Sequence, residues 1–127
     1  MNVEWNDSFK VGQADIDAQH RHLFDLIHAM QATDNPVRAG LLIMQLYKHT
    51  RVHFELEEGL MRQHKFPDLA VHTGYHNNLL SRLNTISEQV GQGAFDKPAL
   101  MALMGDWALR HTVQDDALIA AFIRAAG

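Results

Sequence analysis

Four stretches of this chain place apolar residues three and four apart, and each of these apolar stripes is interrupted by histidine or by an acid. In the first, over about residues 17–32, Ile16, Leu23, Phe24, Ile27 and Met30 mark one helix face, and His20 shares it. The second runs from the Thr33-Asp34-Asn35-Pro36 break to about residue 64 and aligns Leu42, Leu46, His49, His53, Leu56, Glu57 and Leu60. After Lys65-Phe66-Pro67, a third reaches about residue 90 with Leu69, His72, His76, Leu79, Leu80 and Leu83 on one side. Gly91-Gln92-Gly93 is a stop signal. Asp96 before Pro98 then reads as the cap of a fourth helix, with Leu100, Leu103, Met104, Trp107 and His111 in line. An extended arm over residues 1–15, with Trp5, Phe9 and Val11 against the helices and Gly12 breaking any period, and a short helical tail over roughly 115–125 complete the prediction. Short connections between four amphipathic helices predict an all-α, up-down-up-down antiparallel four-helix bundle.

Such a bundle turns its polar interruptions inward. His20, His53, Glu57, His72, His76 and His111 would meet in the interior, joined by an acid of the Asp115-Asp116 pair. Buried imidazoles and carboxylates are costly without partners, and a metal cluster supplies those partners. His53/Glu57 and His72/His76 are each four apart, so each pair offers two donors to one centre. One four-coordinate zinc cannot use seven ligands, whereas two octahedral ions bridged by the two carboxylates can. A mixed nitrogen and oxygen set suits iron, with manganese or cobalt also compatible; availability and redox need favour iron.

Each element also has a plainer reading. A single inward histidine is more often a hydrogen-bonded core residue, and His53 with Glu57 could be a helix-surface pair. It is the joint occurrence that points to metal. His49 lies on the stripe without a role in the cluster and is expected to hydrogen-bond nearby or toward the bundle end. His22, His28 and His64 should face solvent. Met30, Met44, Met61, Met101 and Met104 read as gap-filling core residues. Of Glu55, Glu57 and Glu58, only Glu57 has the helical phase to reach inside.

Composition narrows the function further. The 127 residues suit a single domain, and a net charge of -4 without any basic run predicts no nucleic-acid partner. No apolar run is long enough to span a bilayer, and no basic-plus-apolar leader opens the chain, so neither membrane nor export is expected. Zero cysteines exclude disulfides, iron–sulfur clusters and thiolate zinc, and fit a cytoplasmic setting.

The motifs resemble those of the hemerythrin family, bacterial members in particular. They occur in order from Trp5 to about Asp116. First come Val11-Gly12, Ile16-Asp17-Ala18-Gln19-His20 and Leu23-Phe24, followed by His53-Phe54-Glu55-Leu56-Glu57-Glu58 and Met61. Phe66-Pro67, His72 and His76 follow, and then Trp107, His111 and Asp116. The resemblance implies one hemerythrin-like di-iron domain over residues 1–127, and it selects Asp116 over Asp115. His72, His76 and His111 would then bind one iron, and His20 and His53 the other. Glu57, Asp116 and an oxo or hydroxo group would bridge them, with one coordination position left open on the second iron. It implies reversible dioxygen binding at that position, inside an apolar pocket for which Phe54, Trp107, Leu23 and Phe24 are the candidates. The function implied is carriage, storage or scavenging of oxygen and not enzymatic turnover. The alternatives are an oxygen or redox sensor domain of a larger signalling protein and, third, a di-iron oxidase or peroxidase. Any signalling or oxygenase partner is unidentified. Two departures stand out: Ala108, where the family commonly has a larger aliphatic residue, and Ile119, where many members have tyrosine. Neither removes a ligand, but both bear on the lifetime of an oxygenated state.

Overall fold

The computed structural model describes residues 5–7, 10 and 14–126, the side chains of 113–115 and 126 excepted. Its helices are α1 (Ala14–Gln31), α2 (Pro36–Gln63), α3 (Leu69–Gly91) and α4 (Lys97–Gly105), then a π-helical segment (Asp106–Asp115) and α5 (Asp116–Ala126). The last three follow without a break, so they form one composite fourth helix, and the predicted tail is its continuation. α1 packs on α2, α2 on α3, α3 on α4, and α4 back on α1, which closes the expected antiparallel bundle. There is no strand among the described residues, and no helix among them is long and apolar enough to cross a membrane.

Local chemistry sets the helix ends. The Asn35 side chain accepts from the backbone N–H of Val37 at 2.8 Å, with Pro36 at the first helical position. Asp96 caps α4 the same way, accepting from Ala99 N–H at 3.0 Å. Two C-termini close alike. Phe66 N–H reaches Met61 C=O at 2.8 Å and Ala94 N–H reaches Gln89 C=O at 2.8 Å, each across one residue in the left-handed region. At the end of α3 that residue is Gly93 (φ 84°), but at the end of α2 it is Lys65 (φ 56°), whose Cβ makes the conformation strained.

The core has two parts. The larger cluster holds Leu23, Phe24, Ile27, Met30, Leu42, Leu46, Leu83, Leu100, Leu103 and Trp107, among others; the smaller holds Ile16 and Ala120, with Leu56 and Leu60 packed against them. On α1, α2 and the composite fourth helix the inward histidines and acids lie between these two parts, and on α3 His72 and His76 precede the residues of the larger one. Trp5 packs edge-on against Phe24 at 5.6 Å, as expected of the arm, while Phe9, Val11 and Gly12 lie outside the described residues. One core expectation fails. Met44 is 65% exposed, because its helical phase groups it with Val37 and Leu41 on the outer face of α2 rather than with Leu42 and Leu46.

The two helix stops generate a paired prediction. Lys65→Gly is expected to raise the stability of the metal-free protein by about 0.5–1 kcal/mol, and Gly93→Ala to lower it by about 1 kcal/mol, in urea denaturation with an unchanged slope.

Candidate metal centre

Each helix contributes to one polar band. α1 supplies His20, α2 His53 and Glu57, α3 His72 and His76, and the composite fourth helix His111 and Asp116, none of them more than 4% exposed. On an α-helix, residues five apart diverge. The π-helical segment closes this gap: Asp116 N–H donates to His111 C=O, five residues back. At about 4.4 residues per turn, such a turn brings residues five apart onto nearly the same face. Asp115's side chain lies outside the described residues, whereas the Asp116 carboxylate is fully buried among the imidazoles.

The donors form two sets that share both carboxylates: Glu57, His72, His76, His111 and Asp116 in one, and His20, His53, Glu57 and Asp116 in the other. Asp116 divides its oxygens between them. Oδ2 lies 2.8 Å from His20 Nε2 and 3.4 Å from His53 Nε2, and Oδ1 lies 3.1 Å from His72 Nε2 and 3.2 Å from His111 Nε2. Glu57 Oε1 is 3.2 Å from His76 Nε2, 3.4 Å from His53 Nε2, 3.6 Å from His72 Nε2 and 3.9 Å from His111 Nε2.

These spacings fit metal ions. Two donors about 2.1 Å from one ion and at right angles to each other stand roughly 3.0 Å apart, with imidazole centres roughly 4.6 Å apart. The ring centres of His72/His76, His72/His111, His76/His111 and His20/His53 are separated by 4.5, 4.6, 4.7 and 4.7 Å. Glu57 Oε2 is buried without a hydrogen-bond donor, a costly arrangement that bound cations would relieve.

Outer groups aim the rings. His53 Nδ1–H donates to Gln19 Oε1 at 2.6 Å and His76 Nδ1–H to Glu58 Oε2 at 3.0 Å, and each such tautomer leaves an Nε2 lone pair facing the centre. Glu58 thus corrects the expectation that Glu57 alone reaches inward: one residue further round α2, it reaches the outer nitrogen of His76 without entering the core. Phe54 lies flat on His76, ring centres 3.6 Å apart and planes 2° apart, and 5.8 Å from Trp107. Its centre is 6.0 Å from that of His53, so it walls chiefly the three-histidine side. Leu23 and Phe24 belong to the same apolar cluster as Phe54 and Trp107. His49 departs from the expected hydrogen bond. It stacks on His53 at 5.7 Å, and its buried Nε2 has no hydrogen-bond partner. As expected, His22 and His28 are exposed, while His64 is half-buried.

Protonation in the metal-free protein follows from this packing. Burial alone would raise the Asp116 carboxyl, yet His111 and hydrogen bonds from His20, His53 and His72 hold it well below the usual carboxylate range. His72 is raised to about 9: burial opposes this, and its hydrogen bonds to Asp116 and Glu57 prevail. His53 is also raised, Glu57 and Asp116 outweighing burial. Burial pushes His111 down to about 4 and His49 to about 3, with neighbouring imidazoles adding to both shifts.

The family model for the hemerythrin HHE cation-binding domain matches residues 11–123. The bacteriohemerythrin of Stenotrophomonas maltophilia (strain R551-3) is 26% identical over 124 residues, covering 95% of this chain and 81% of the relative. A hemerythrin chain of Sipunculus nudus is 30% identical over 107 residues, covering 84% of this chain and 82% of the relative. A crystal structure of a hemerythrin mutant shares the fold, with a TM-score of 0.83 at 23% identity, over 94% of this chain and 95% of the other.

The protonation pattern predicts a pH dependence. The stability supplied by His72 is complete below its ordinary value of 6.5 and is lost as pH rises through about 9. That supplied by Asp116 is present above 3.8 and is lost as pH falls through its depressed value, and His111, kept neutral to about 4, also loses stability as pH falls below 6.5. Metal-free protein should therefore lose denaturation stability on both sides of a maximum near neutrality. Adding a divalent metal in weak buffer at pH 7 should release on the order of one to two protons per chain, because imidazoles held protonated by the carboxylates must deprotonate to ligate. Metal uptake without proton release, measured with an indicator dye, would contradict the assignment.

Proposed function

This chain belongs to the hemerythrin family, and on that premise we propose that it binds dioxygen reversibly at a non-heme di-iron centre, as a carrier, store or scavenger of oxygen. The observation that carries the reading is the division of the Asp116 carboxylate, one oxygen toward His20 and His53 and the other toward His72 and His111. In this reading His72, His76 and His111 would hold one iron, His20 and His53 the other, and Glu57 and Asp116 would be shared between them. The chemistry such a pair contributes when bound is reversible one-electron redox at each ion.

The rest falls to the chain's own residues. Gln19 and Glu58 fix the rings of His53 and His76, which keeps the donor atoms in place through redox change. Phe54, Trp107, Leu23 and Phe24, each 5% exposed or less, exclude water from the apolar side and so retard loss of a charged oxygen species. Five imidazoles against two carboxylates contrast with the carboxylate-rich sites of ferritin-like di-iron proteins, which supports binding over turnover. A cytoplasmic setting belongs to this reading and accords with a chain free of cysteine.

Reduced anaerobically with iron and then exposed to air, the protein should develop a visible charge-transfer band that disappears on deoxygenation and returns over repeated cycles. A band that forms once and never reverses would exclude carriage. His76→Ala and Glu57→Ala should lower bound iron to well under two per chain, whereas His28→Ala should retain wild-type content; equal iron in all three would overturn the ligand assignment.

A further inference from the structure

Two histidines outside the seven form a line into the centre. His22 is exposed on α1, and His49 is half-buried on the facing side of α2, their ring centres 5.2 Å apart. His49 in turn stacks on His53, centres 5.7 Å apart and planes 11° apart. The three imidazoles thus run from solvent through the α1/α2 seam to a donor of the centre.

Packing explains the ring of His49 but not its nitrogen. Nε2 is buried and has no hydrogen-bond partner, although a polar partner or an apolar residue of similar shape would remove that penalty. A cation shared with His22 would satisfy it. Two imidazole nitrogens about 2.1 Å from one ion at a tetrahedral angle place their ring centres roughly 5.2 Å apart, the separation found here. With two protein donors and the remaining positions left to water, such a site holds a metal weakly and exchanges it, unlike the seven-donor centre.

We propose that His22 and His49 form an uptake site that captures a divalent transition-metal ion from solvent and passes it past His53 into the centre. The inference rests on the reading of the centre as a metal site, but its test is kinetic and so separable from that reading. Metal-free protein is mixed anaerobically with Co(II), and the rise of the cobalt d–d absorption is followed by stopped flow. For the wild type the loading rate should saturate with Co(II) concentration, as capture before transfer requires. His22→Ala, which removes an exposed side chain that touches no donor of the centre, should slow loading about tenfold, remove the saturation and leave the final absorption unchanged. His49→Ala should do the same, and His28→Ala, an exposed α1 histidine away from the line, should load like the wild type. Wild-type loading by His22→Ala would overturn the proposal. So would a reduced final absorption in that variant, because the pair would then support the centre instead of feeding it. Loss of all loading in Glu57→Ala alongside normal kinetics in His22→Ala would leave the metal centre standing and the uptake site refuted.

Discussion

The interior of this bundle is organised by two carboxylates with no access to water. Glu57 and Asp116 are both fully buried, and a bare carboxylate in that setting would be among the costliest groups in the protein. Five imidazoles surround them, and most of the remaining structure serves to keep those seven side chains together. Apolar clusters on both sides hold the helices at the required separation, and Gln19 and Glu58 fix ring orientation from outside. The same interactions set the protonation of the metal-free state. Glu57 and Asp116 raise His72 and His53, burial keeps His111 neutral, and a cation entering the band would replace protons that now share the negative charge.

The π-helical segment follows from the same constraint. Regular α-geometry after His111 would turn Asp116 away from the histidines, whereas the wider turn keeps both on one face and carries the chain directly into α5. A rarely used backbone conformation therefore sits where the donor geometry needs it.

Much of this was legible in the sequence, because apolar periodicity reports helix faces directly. The stripes through Ile16, Leu46, Leu83 and Leu103 located the four helices, and the polar residues sharing those stripes, His49 excepted, are among those the structure brings together. Legibility failed where a side chain's reach or the backbone's path departs from an ideal wheel. Glu58 lies off the inward face, yet its length lets it meet His76 from the side. α-Helical phase alone favours Asp115, one turn from His111, whereas the spacing of the resembled motif favours Asp116 and calls for an irregular helix, which the π-helical segment provides. Lys65 occupies a left-handed stop that composition would assign to glycine, and Met44 is apolar but outward. Phe54 makes a flat contact with His76 that places it mainly against the three-histidine side, which residue spacing alone does not specify. Ala108 and Ile119 are both fully buried, so the two positions singled out in the sequence fall in the interior.

The central claim is that two ions share the Asp116 carboxylate. Anomalous diffraction from crystals of iron-loaded protein tests it most directly. The account predicts two iron peaks about 3.5–4 Å apart, one beside His20 and His53 and the other beside His72, His76 and His111, each contacted by a different Asp116 oxygen. A single peak, or two peaks with Asp116 contacting neither or only one, would contradict it.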